Sequence, residues 1–162
     1  CEYAKAFKEA GANGVAMAEP AAGLLSPNLM EEFSTPYVNK IREAVEDEHF
    51  MVMYHNCGNV VPLMEQVKNV DAQSYSFGNA IDIEKALEVI PSDRIVIGNI
   101  DPAGVLRNGT PEIIREETLK LMKRCTQYPN FVIASGCDIP PLTPFENIDA
   151  FFAAVEEFYS CE

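Results

Sequence analysis

Basic side chains are scarce in this chain: twelve Lys and Arg stand against twenty-five Asp and Glu, a formal charge of −13 over 162 residues. A surface of that sign repels phosphate backbones and anionic headgroups, which argues against nucleic acid and membranes as partners. No apolar run approaches the ~20 residues of a membrane-spanning helix. A disulfide framework is missing as well. The five cysteines (Cys1, Cys57, Cys125, Cys137, Cys161) are odd in number and irregular in spacing, and nothing resembles a signal peptide. A chain of this length buries a core without cross-links, so reduced thiols in a cytoplasmic setting are expected. No linker or low-complexity stretch divides residues 1–162, which read as one α/β domain. An initiator Met is also absent, and the first residues already have a mid-helix pattern, as expected of a piece of a longer protein.

What is present is strand and helix in alternation, five times over. A helix over 2–10 has Tyr3, Phe7 and Ala10 on one face and Gly11 as its stop. Apolar runs at 14–18, 50–54, 72–76, 94–98 and 130–135 read as strands. Between them, Ser26-Pro27, Thr35-Pro36, Thr110-Pro111 and Thr143-Pro144-Phe145-Glu146 read as helix starts, the last as a capping box. The expected inward residues are Tyr37, Ile41 and Val45 on the helix from 36. Ile83, Ala86, Leu87 and Ile90 serve the next clear stripe, and Ile114, Thr118, Leu121 and Cys125 the one after Thr110. The final helix is expected to pack through Ile148, Phe151, Phe152, Val155 and Tyr159.

Alternation of this kind implies a parallel sheet with right-handed crossovers. Five units do not close a barrel, which needs ~250 residues. The alternatives are an open doubly wound sheet or the C-terminal five βα units of a (β/α)8 TIM barrel, and the mid-helix start favours the second. Such a piece has two raw sheet edges and is expected to self-associate or pair with its other half.

The polar residues recur just past each strand: Glu19, His55 with Cys57, Ser74 to Ser76, Asn99 with Asp101, and Cys137 with Asp138. In a parallel sheet these ends share one face, so residues 80 apart in sequence can converge. One imidazole and two thiolates make a three-ligand zinc set with an open fourth position, as catalytic zinc requires. His55, Cys57 and Cys137 are that set. Glu19 is either an occupant of the open position or a plain loop carboxylate, and Asp101 in Asn99-Ile100-Asp101-Pro102 also has turn and cap chemistry.

His55-Asn56-Cys57-Gly58, Gly98-Asn99-Ile100-Asp101-Pro102, and Ser135-Gly136-Cys137-Asp138-Ile139-Pro140 through Thr143-Pro144-Phe145-Glu146-Asn147-Ile148 resemble the uroporphyrinogen decarboxylase superfamily. Within it they are most similar to the corrinoid-dependent branch, the methylcobamide:coenzyme M methyltransferases and their bacterial relatives. Gly11-Ala12-Asn13-Gly14, Ser26-Pro27, Phe33 and Pro36-Tyr37 fit the same pattern. The likeness spans the whole chain but about the latter half of a full-length member. The branch rests on Cys137: the decarboxylases have His after that glycine and lack the His-x-Cys pair. Cobalamin-independent methionine-forming zinc methyltransferases have a similar ligand set, but differ after the last Cys.

The resemblance implies a Zn²⁺ centre, a corrinoid (methylcobamide) methyl donor delivered by a corrinoid protein, and a small thiol such as coenzyme M as acceptor. Asp138, Asn99 and Asp101 are the further catalytic candidates, orienting His55 or meeting substrate or corrinoid. Decarboxylation or metal-assisted hydrolysis on the same barrel, or an inactive accessory segment, are the alternative readings. Tyr54 and Tyr75 read as core or rim, and Cys125 and Cys161 as packing or surface residues.

Overall fold

The computed structural model describes residues 1–160; Cys161 lies outside them. Five strands form one parallel sheet: β1 (Gly14–Ala18), β2 (Met51–Asn56), β3 (Ser74–Phe77), β4 (Ile95–Ile100) and β5 (Phe131–Ser135). Their spatial order is their sequence order, β1-β2-β3-β4-β5. A doubly wound sheet reverses direction at a switch point, whereas this one never does, so it is wound as a barrel segment. The helices are α1 (Glu2–Glu9), α2 (Pro27–Phe33), α3 (Thr35–Val45), α4 (Met64–Lys68), α5 (Ile83–Val89), α6 (Pro111–Cys125) and α7 (Phe145–Ser160). A wide π-type turn, Pro102–Arg107, precedes α6.

The core lies between the sheet and these helices. Along β2, Val52, Tyr54 and Asn56 are buried while Met51, Met53 and His55 are half-buried on the opposite face. This period of two assigns His55 to the concave side and its neighbours to the helix layer. On α6, Ile114, Thr118, Leu121, Met122 and Cys125 form the buried stripe, and on α5 Ile83, Ala86 and Leu87 do so. Each large apolar side chain fully buried in this way contributes about 1.5–3 kcal/mol.

Several inward assignments are corrected. Tyr37 is exposed and Val38 takes its place, because the inward stripe of α3 runs through buried Val38 and Val45 with half-buried Ile41 between them, and Tyr37 is 100° out of it. Phe152 and Tyr159 on α7 are likewise exposed, while Asn147 and Ala154 are buried. Here Asn147 Nδ2 donates to Leu106 O at 2.9 Å and Gly109 O at 3.0 Å, which fixes the helix face against the π-turn. On α1, Tyr3 and Phe7 pack edge to face at 4.7 Å but both remain exposed, as does Ala10, and no residue of the helix is buried. Helices α1 and α7 flank the edge strands, where the sheet offers a helix only one neighbour.

The helix starts fall at the prolines, but the hydroxyl caps are mostly unused. Ser26 Oγ accepts from Leu29 N at 3.4 Å. Thr35 lies inside α3, and Thr110 makes no side-chain cap bond. Thr143 N and Oγ1 both donate to Pro140 O, so the reciprocal capping box is not formed. Proline's fixed φ sets these starts without it.

Burial also sets an alkaline limit on the fold. Loss of hydration pushes the phenols of Tyr54 and Tyr75 up to about 12 from 10.0, and the Cys125 thiol up to about 11 from 9.0. The unfolded chain therefore releases these protons at lower pH than the folded one. Their contribution is intact below about pH 9 and is lost as pH rises through about 11 to 12. Urea midpoints followed by circular dichroism should fall steadily across that window.

Candidate metal centre

Strands β2 and β5 are separated by two others. On a flat sheet three inter-strand steps would hold their ends about 14 Å apart. Yet the ligand atoms of His55, Cys57 and Cys137 all lie within 4.8 Å of one another, and His55 Nε2 is 3.7 Å from Cys137 Sγ. Curl of the sheet and inward-leaning loops close the gap. His55 and Cys137 are half-buried and Cys57 is exposed at the rim.

Local chemistry fixes each loop. Asn56 is fully buried: its Oδ1 accepts from Gly58 N at 2.8 Å and its Nδ2 donates to Glu19 O at 2.5 Å. This turns the chain sharply and sets Cys57 at the bend. The β3–α5 turn then passes between the two cysteine loops. A Cβ on Gly78 would stand 2.6 Å from Cys57 Cα, and one on Gly136 would stand 2.7 Å from Asn79 N. Two bare glycines thus bring Cys57 and Cys137 together. The turn is held from below by Asn99, which is buried and donates from Nδ2 to Gly78 O and Ile81 O, both at 2.9 Å.

The structure does not bring the other site candidates into this cluster. Asn99 supports the turn through the two bonds above. Asp101 Oδ1 accepts from Ala103 N at 2.9 Å and Gly104 N at 2.8 Å, capping the π-turn. Asp138 follows Cys137 in sequence but is exposed. None of the three orients His55, as the sequence reading had allowed. That bond belongs to Ser76, whose Oγ lies 3.0 Å from His55 Nδ1. Glu19, the other suggested ligand, accepts from Ser34 Oγ at 2.6 Å and lies outside the three-residue cluster. Ser76 was visible in the sequence as a polar strand-end residue, but its partner depends on register: β2 and β3 pair with His55 opposite Ser76.

The donor set fits a tetrahedral zinc ion. Zinc–sulfur and zinc–nitrogen bonds of about 2.3 and 2.0 Å put neighbouring ligands about 3.6 Å apart, close to the separation of His55 Nε2 and Cys137 Sγ. Among the described residues no fourth His, Cys, Asp or Glu joins the group.

The family model described as uroporphyrinogen decarboxylase (URO-D) matches residues 1–158. A methylcobamide:CoM methyltransferase, MtbA of Methanosarcina acetivorans, is 28% identical over 158 residues, 96% of this chain and 45% of its own length. A uroporphyrinogen decarboxylase of Prochlorococcus marinus is 30% identical over 149 residues, 90% of this chain and 41% of its own. Among solved structures, a methyltransferase from Methanosarcina mazei superposes with a TM-score of 0.85 at 31% identity, over 98% of this chain and 46% of that one. The chain spans just under half the length of the relatives it matches.

Proposed function

Since the chain belongs to the uroporphyrinogen decarboxylase family, we propose that it forms the zinc-binding part of a methyltransferase that moves a methyl group from a methylated corrinoid to a small thiol such as coenzyme M. One observation carries this reading: a sulfur-rich cluster of three potential ligands at the C-terminal ends of a barrel-type sheet, which no fourth His, Cys, Asp or Glu joins among the described residues. Zinc held there would deprotonate an incoming thiol, whose own pKa leaves little nucleophile at neutral pH.

The chain's residues have distinct parts in this proposal. His55 Nε2, Cys57 Sγ and Cys137 Sγ would hold the ion, and their two thiolates would offset its charge so that a thiol brought there keeps its nucleophilicity. The methylated corrinoid would be the methyl donor, its Co–C bonding pair remaining on cobalt as the methyl group passes to the thiol sulfur. No side chain is needed as a base once the thiol proton has left. Asp138, exposed beside Cys137, would in this reading meet the substrate or the corrinoid protein. Asn99 and Asp101 act through the turns they fix.

Decarboxylation is the second reading, favoured by a decarboxylase relative at similar identity. Zinc content, together with methylcobalamin consumption in the presence of a thiol panel, separates the two. The methyltransferase reading expects one zinc per chain and thiol-dependent conversion of methylcobalamin to reduced cobalamin in the full-length protein. Metal-free protein that decarboxylates uroporphyrinogen would replace that reading with the second. The 162 residues alone are expected to show little or no turnover, because the relatives are about twice as long.

A further inference from the structure

Ser74 and Ser76 are buried on the same face of β3, one pleat apart, and their hydroxyls have different fates. Ser74 Oγ has no partner among the described residues, whereas Ser76 Oγ lies 3.0 Å from His55 Nδ1. We infer that Ser76 is a positioning residue: its hydroxyl oxygen accepts a hydrogen bond from Nδ1–H of His55 and so aims Nε2 at the ion. The inference rests on the zinc reading of this site.

A neutral imidazole has one N–H, so a ring that binds metal through Nε2 must have its proton on Nδ1. Ser76 Oγ is the acceptor at hydrogen-bond distance from this partly buried N–H. Among the described residues no loop group is at hydrogen-bond distance from Nδ1. Ser76 is pinned instead by the sheet, because β3 pairs on both sides, with β2 and with β4, and Ser76 faces His55 in register. The ring is thereby held by a strand rather than by a mobile turn, while Cys57 and Cys137 come from loops. Partners on the far nitrogen of a metal-binding His typically influence affinity by 10- to 100-fold.

The two serines supply their own control. Ser76→Ala in the purified full-length protein should weaken zinc binding by roughly tenfold or more. It should also alter the ligand-field bands of the Co(II)-substituted protein and abolish the slowly exchanging Nδ1–H proton resonance of the zinc-loaded form. Ser76→Thr, which retains a hydroxyl, should recover all three. Ser74→Ala removes an equally buried hydroxyl from the same strand and should leave all three unchanged. Unchanged affinity and spectra in Ser76→Ala overturn the role of Ser76 alone, as does an equal loss in Ser74→Ala. Wild-type protein that takes up no zinc overturns both this inference and the reading beneath it.

Discussion

Replacing Cys137 with Ser should empty the metal centre while leaving the sheet intact. Structural zinc in small domains is worth roughly 10–16 kcal/mol over four ligands, so one thiolate accounts for about 3 kcal/mol, or on the order of 100-fold in affinity. A serine hydroxyl does not replace it, because it stays protonated where a coordinated thiol does not. Cys57→Ser should behave alike. Neither residue contributes to the core, since Cys57 is exposed and Cys137 half-buried, so the urea midpoint of the metal-free protein should not move. Cys125→Ser is the counterexample: buried on α6, it should cost stability without changing zinc content. Zinc by atomic absorption after dialysis, beside a melt of each variant, gives both readouts. Full zinc retention in Cys137→Ser would remove the basis for the proposed chemistry.

The second large effect is expected from a residue with no functional group. Gly78→Ala places a methyl 2.6 Å from Cys57 Cα, 2.8 Å from Cys57 O and 2.9 Å from Cys57 Cβ. These are backbone atoms and the root of a ligand, so relief requires one loop to move away from the other. Tetrahedral coordination tolerates distances only to about ±0.2 Å, and a shift of several tenths of an ångström breaks it. Zinc affinity should fall by roughly tenfold or more. Overpacking of this kind costs about 1–3 kcal/mol of stability. Gly136→Ala meets Asn79 N at 2.7 Å and should push the same layers apart from the other side. A Gly78→Ala protein that binds zinc like wild type would show that the loops accommodate the methyl group freely.

Much of this was legible before any coordinates. The alternation of strands and helices followed from apolar runs punctuated by prolines, and the expected meeting of His55 with Cys137 followed from the rule that parallel strand ends share a face, whereas the strand order that separates a barrel segment from a doubly wound sheet came from the structure. Three things were not legible. Ser76 opposite His55 depends on inter-strand register, which no local pattern encodes. Gly78 reads as an ordinary turn glycine until its neighbour Cys57 is known to be at van der Waals distance. The exposure of Tyr37, Phe152 and Tyr159 escaped prediction because an apolar stripe gives a helix's periodicity but not the angle at which it docks. Asp101 could have been read either as a site residue or as a turn cap, and its two backbone bonds show the cap.

Because its ligands come from β2 and from the loop beyond β5, an ion bound here would act as a staple across strands that do not touch. It would join residues 57 and 137, closing a covalent circuit of some eighty residues for which the bare chain has only non-covalent restraint. Metal loading must then follow sheet formation, since the unfolded polypeptide offers no such arrangement. Amides at the outer ends of all five strands should exchange with deuterium more slowly once the ion is in place, including those on strands that contribute no ligand.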